Sequence, residues 1–162
     1  MSPPHLPVED FLDYLRAFNE ADYDKQHSFY SEDVTMVLPD PEIPKIMGSQ
    51  GIKTHYKPIH ADAKETVIPI IVLCDRGRVF LQMEAYFLYK NEVQKAVHDY
   101  HVHPGDVIRI SCCAIYDLDS SSKIKTITCH LFQQELLGQV NLQAAIRESE
   151  LKADADLRLY NY

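Results

Sequence analysis

The chain has 162 residues, a formal charge of −8, 46% hydrophobic residues and 25% charged residues. That length suits one domain, which can bury roughly 70% of its unfolded surface without staples, and it is short for two. The 16 basic residues are scattered and never gather into a run, so the phosphate neutralisation that drives nucleic-acid binding has no footing.

Residues 1–7 contain Pro3, Pro4 and Pro7 and no apolar core of a secretory signal, so they are predicted to be a loose arm. No apolar run approaches the length of a membrane span. The expected compartment is therefore the cytosol, with no membrane partner. Val8, Phe11, Leu12, Leu15 and Phe18 fall at helical spacing, which predicts a helix over 8–19. A second short helix is predicted over 23–30, with Asp22 as its cap. Residues 34–38 read as a strand stopped by Pro39, and 39–47, with three prolines, as an irregular loop at the mouth of a cavity. Ser49 is the candidate N-cap of a third helix over 49–60, which Pro58 should kink or end.

From Thr66 the pattern changes to strands. Segments 66–74 and 78–89 flank the turn Asp75-Arg76-Gly77 and form one hairpin; 106–118 and 123–133 form a second. Between the hairpins, 91–104 is a polar loop holding His98, His101 and His103. The tail from 139 to about 157 is helical in propensity, with a narrow stripe of Leu142, Ala145, Ile146 and Ser149. It is expected to lie over a partner or the cavity mouth, outside the domain core of 8–135. Grouped helices followed by a strand meander predict an α+β domain, a curved antiparallel sheet packed on three N-terminal helices. Such a concavity suits a small-molecule substrate. The long hairpins are apolar on both faces, Phe80 and Leu88 opposite Leu81 and Phe87. A monomer would expose that patch, so a homodimer through the sheet is predicted. Cys74, Cys112, Cys113 and Cys129 form no CxxC pair and sit in apolar runs, so they are read as reduced and structural.

Several motifs resemble the SnoaL-like and ketosteroid-isomerase superfamily, also called nuclear transport factor 2-like. Residues 13–24, Asp-Tyr-Leu-Arg-Ala-Phe-Asn-Glu-Ala-Asp-Tyr-Asp, are similar to its first helix and turn. Residues 29–35, Phe-Tyr-Ser-Glu-Asp-Val-Thr, and 48–56, Gly-Ser-Gln-Gly-Ile-Lys-Thr-His-Tyr, are similar to its next strand and third helix. Gly105-Asp106-Val107-Ile108-Arg109 and Ile115-Tyr116-Asp117-Leu118 resemble its closing hairpin, so the likeness covers about 8–135. It implies a cone-shaped fold and a cofactor-independent isomerase, cyclase or dehydratase acting on a polycyclic or carbonyl-bearing metabolite in a biosynthetic pathway. A non-catalytic ligand-binding or dimerisation module of the same fold is the alternative. Tyr14, Tyr30 and Tyr56 stand where isomerases of this fold carry an oxyanion-hole network. The position of the isomerase base reads Leu38, with Asp40 two residues on. The second carboxylic acid of that hole maps near Ala114 or Cys113, so neither isomerase carboxylate is present.

The residues suggest other proton carriers. Gln82, Glu84 and Tyr86 share one strand face. Gln82 and Glu84 resemble the polar pair that epoxide hydrolases of this fold place there, so Glu84 is a candidate acid or base; the alternative is that this face is convex. His60 follows Tyr56 by four residues and is a second candidate base, or a surface histidine. Tyr116, with Cys112 on the same face, is a candidate proton donor or stacking platform. His101 and His103 share a face of the histidine loop, but transition-metal sites need a third protein ligand and no clear acidic partner is visible. No metal is therefore expected, and His101 is read as part of a gating loop. No nucleotide loop or flavin motif is present, so no cofactor is expected.

Overall fold

The computed structural model describes residues 2–160, the side chain of His98 excepted. In chain order the elements are α1 (Val8–Asn19), α2 (Tyr23–His27), β1 (Tyr30–Val37), β2 (Ile46–Met47), α3 (Gly48–Asp62), β3 (Ala63–Asp75), β4 (Arg78–Tyr89), β5 (Val107–Leu118), β6 (Ile124–Gly138) and α4 (Leu142–Glu150). The strands make one curved sheet in the order β2-β1-β6-β5-β4-β3. Every pairing is antiparallel except β1 with β6, which is parallel. Among the described residues no helix is long and apolar enough to cross a membrane.

The faces of the sheet follow from strand alternation. On β4, Val79, Leu81, Ala85, Phe87 and Tyr89 are buried in the main core with Phe11, Leu12 and Leu15 of α1. The opposite face of the same strand carries Gln82, Glu84 and Tyr86. There Tyr86 joins Ile68, Ile70, Val107 and Ile146 in a second, smaller core beneath α4. The β3–β4 hairpin turns at Arg76 and Gly77, both at positive φ (48° and 75°). That is the conformation a tight two-residue hairpin requires.

β3 is an edge strand, and its free edge is capped at Val67. Asn19, at the end of α1 and 3% exposed, donates from Nδ2 to the Val67 carbonyl at 3.0 Å and accepts from the Val67 N–H at 2.8 Å. One side-chain amide thus stands in for the missing neighbour strand. The Lys64 ammonium also donates to the Asn19 carbonyl.

Several sequence expectations are corrected here. The arm is docked: Leu6 is buried, and the His5 N–H donates to Ser122 Oγ at 3.0 Å. Residues 28–30 leave the helical path, and Tyr30 opens β1. Ser49 does not cap α3; Met47 holds the N-cap position without a side-chain bond. Pro58 lies inside α3 without ending it, because Pro58 and Thr54 are both exposed and water can take the freed Thr54 carbonyl. The tail packs on its own sheet: the Tyr86 hydroxyl bonds the Ala145 carbonyl at 2.9 Å and Ser149 Oγ at 2.6 Å, and Ile146 and Ser149 are buried. Beyond α4 the chain turns around the edge of the sheet. Leu157 and Leu159 are buried in the main core, and Arg16 Nε donates to the Leu159 carbonyl at 2.7 Å.

Candidate functional site

Inside the cone, α1, β1, α3 and β5 each contribute one tyrosine. Tyr14 Oη and Tyr30 Oη lie 2.8 Å apart, and Gln26 Nε2 donates to Tyr30 Oη at 3.0 Å. The Tyr14 ring meets Tyr30 and Tyr116 edge-on at 5.8 Å each, and Phe11 meets Tyr116 at 5.0 Å. Tyr56 donates to the Met36 sulfur at 3.9 Å. Burial pushes Tyr14, Tyr56 and Tyr116 well above the usual phenol range, and neighbouring tyrosines add to that for all three. For Tyr56 the next cause is Glu65. These phenols stay protonated and can act as neutral donors. Cys112 and Cys129 face the same interior, and burial raises both thiols to about 12, so neither is a thiolate nucleophile.

The carboxylate of the interior is Glu65, which sequence reasoning missed. α3 ends at Asp62 and β3 begins at Ala63 with no loop between them. Five residues therefore bring His60 back onto Glu65, Nε2 to Oε1 at 3.1 Å, with the Glu65 side chain 8% exposed. The His60 ring stacks on Tyr56 (centroids 5.2 Å apart, planes at 24°) and meets Phe18 edge-on at 5.7 Å. Two rings and one carboxylate fix its orientation. The signal for Glu65 was its i, i+2 spacing with Ala63 and Val67, which both face the core.

A shallow surface groove between α1, α2 and α3 reaches His60; its roughly 180 Å³ is space shared with open solvent, with no enclosed room for a water molecule. Its lining includes Phe18, Gln26, His27, Lys53, Tyr56 and His60. Both ring nitrogens of His27 are buried without a hydrogen-bond partner among the described residues. Burial lowers the His27 pKa, Lys53 lowers it further, and Asp24 opposes them.

The structure separates the other candidates from this cluster. Glu84 lies on the outer face, where Oε1 meets Lys152 Nζ at 2.5 Å and Oε2 meets Arg109 Nε at 3.6 Å. Tyr86 is spent on α4, and Gln82 pairs with Cys113 on the same outer face. Alternation alone could not tell which face was concave; the wholly apolar one is. Leu38 packs against the main core. Asp40 is exposed, and its Oδ1 accepts from the Glu42 N–H at 2.9 Å inside its own turn. His101 is exposed, with Nε2 2.8 Å from Glu92 Oε1. The histidine loop therefore does have an acidic partner.

No family model and no curated protein matches this sequence. Solved structures do match. A candidate polyketide cyclase from Silicibacter superposes with a TM-score of 0.62 at 18% identity, over 86% of this chain and 93% of that one. Another from Pseudomonas putida gives 0.61 at 16%, over 89% and 98%. An epoxide hydrolase/cyclase-like enzyme of pyran ring formation in the polyether salinomycin gives 0.58 at 16%, over 76% and 90%. The chain has the SnoaL-like, NTF2-like cone fold. At these identities the likeness establishes that fold, in which proteins named as cyclases and epoxide hydrolases occur, and no particular reaction.

Proposed function

We propose that this chain is a cofactor-independent acid–base enzyme of the isomerase, cyclase or dehydratase kind, acting on a small carbonyl-bearing metabolite. The observation that carries this reading is the His60–Glu65 pair, clamped by Tyr56 at the inner end of a groove and backed by buried neutral phenols. His60 takes a proton from carbon or oxygen on the ring nitrogen turned away from Glu65. Glu65 holds the ring in place and stabilises the imidazolium that forms, a contribution to general-base catalysis of about 10²–10⁴ in rate. Tyr56, or Tyr14 with Tyr30, donates to the oxygen on which charge develops. The unpartnered His27 nitrogens offer a substrate its next polar contact. Neither Leu38 nor Glu84 takes part.

A second reading, a ligand-holding or pairing module without turnover, is favoured by one observation. Phe11, Tyr14, Tyr30 and Tyr116 pack ring against ring at 5.0–5.8 Å, which leaves the deep interior filled with side chains. Ligand mapping tests whether the groove is a site at all. Cyclic ketones, enones and aromatic acids are titrated while the His27, His60 and Tyr56 resonances are followed by NMR. Shifts that saturate at these residues support the groove. Shifts confined to the outer face around Tyr86 contradict it.

A further inference from the structure

The loop between β4 and β5 is a small stapled flap. Its base is closed by the Gly105 N–H to the Tyr89 carbonyl at 2.8 Å and the Tyr89 N–H to the Asp106 carbonyl at 3.0 Å. Higher up, Val93 and Val102 exchange both backbone hydrogen bonds, at 3.1 and 3.0 Å, as an isolated antiparallel bridge. Val102 is fully buried and Val93 packs against the main core, so the inner side of the flap is pinned. Residues adjacent to a bridged pair project to the other side. In an antiparallel ladder that runs on from the bridge, Glu92 stands opposite His103, with His101 its diagonal neighbour.

We infer that Glu92, His101 and His103 form a binding site for one divalent transition-metal ion on the outer side of this flap. One ligand atom from each lies within 4.8 Å of the other two. The His101 and His103 rings are 4.6 Å apart, and His101 already meets the Glu92 carboxylate. Metal–ligand bonds of 2.0–2.2 Å hold ligand atoms about 3.3 Å from one another in a tetrahedral shell. The site closes by turning exposed side chains on a fixed backbone, with no movement of the flap. Two imidazoles and one carboxylate suit zinc, cobalt or nickel rather than the all-oxygen shells of magnesium and calcium. The fourth position is left to water. A supporting anion stands behind the site: Asp106 Oδ2 accepts from the His103 N–H at 2.8 Å, and its Oδ1 accepts from Gln139 Nε2 at 2.8 Å. Asp106 thus fixes the backbone of one ligand and adds negative charge close to the ion.

The inference is independent of any reaction in the cone, and its test reads metal binding alone. Co²⁺ is titrated into the full chain while visible d–d absorption is recorded, and Zn²⁺ is titrated by calorimetry. The expected result is one equivalent bound, with a rise in Tm on saturation. The double variant His101→Ala/His103→Ala should lose that equivalent. Glu92→Gln, which keeps shape and hydrogen bonding, should weaken binding by about 10-fold or more. Circular dichroism checks that the variants fold, as expected for exposed side chains. A double variant that binds cobalt and zinc as the wild type does would overturn the site, because the ion would then sit on other histidines. Absence of binding to the wild type at millimolar metal would also overturn it.

Discussion

Replacing Asn19 by alanine tests how the open edge of the cone is held. The side chain gives two hydrogen bonds to one residue, at 3.0 Å to the Val67 carbonyl and 2.8 Å from its N–H, and both partners are buried. Alanine leaves two backbone groups without partners and with little access to water. Each such group costs about 1–3 kcal/mol, so the expected loss is about 2–6 kcal/mol. For a domain of this length a loss near 3 kcal/mol lowers Tm by roughly 6–12 °C. Asn19→Asp keeps the acceptor for the Val67 N–H, loses the donor and sets a carboxylate against the Val67 carbonyl. The aspartate variant should therefore be destabilised as well, by loss of the donor and by repulsion. Urea denaturation and differential scanning calorimetry of the three proteins give the numbers. Glu65 lies two residues before Val67 on β3, so the alanine variant should also broaden the Glu65 and His60 resonances. Both variants within about 0.5 kcal/mol of wild type would refute the reasoning, since that is the range of an ordinary surface change.

Three further outcomes are expected. Tyr14→Phe keeps the ring packing and leaves Tyr30 its bond from Gln26, so stability should fall by only about 1 kcal/mol, while any turnover falls about 10²–10³-fold; equal rates in the two proteins would remove Tyr14 from the chemistry. Truncation after Gly138 removes α4 from its small core and Leu157 and Leu159 from the main one, so the cone should unfold at a clearly lower Tm; an unchanged Tm by calorimetry contradicts this. On the outer face beyond α4, Leu73, Phe80 and Ile115 stand in one cross-strand row, Leu73 60% exposed, so light scattering should find a homodimer at micromolar concentration and a monomer after Phe80→Asp. A wild-type monomer would refute pairing through this face.

Much of the fold was written in local patterns. Helix α1 and strand β4 have the bounds that spacing predicts, because their apolar periods of 3.6 and 2 run unbroken to a turn signal at each end. The Asp22 cap is present: its Oδ1 accepts from the Lys25 N–H at 3.2 Å. Local pattern could not decide which face of β4 turns inward, since both faces carry large apolar residues and the answer depends on where α4 docks. Glu65 was hidden for a similar reason. It looks like one polar residue at the start of a Val- and Ile-rich strand, and only the loop-free junction of α3 and β3 puts it on His60. Glu92 comes to His101 through a bridge between two valines nine residues apart, a contact no periodicity announces.

The most direct test of the acid–base centre is hydrogen–deuterium exchange at carbon. Isomerisation, cyclisation and dehydration next to a carbonyl all begin by removing an α-proton, so the assay does not require the natural reaction. Carbonyl compounds that shift the groove resonances are incubated with the protein in D₂O, and loss of their α-proton signal is followed by NMR. The account predicts exchange above buffer for at least one of them. It also predicts a fall of about 10²–10⁴-fold in both His60→Gln and Glu65→Gln, with Glu84→Gln unchanged. Compounds that bind in the groove and exchange no faster than in buffer would contradict it, as would full exchange in Glu65→Gln.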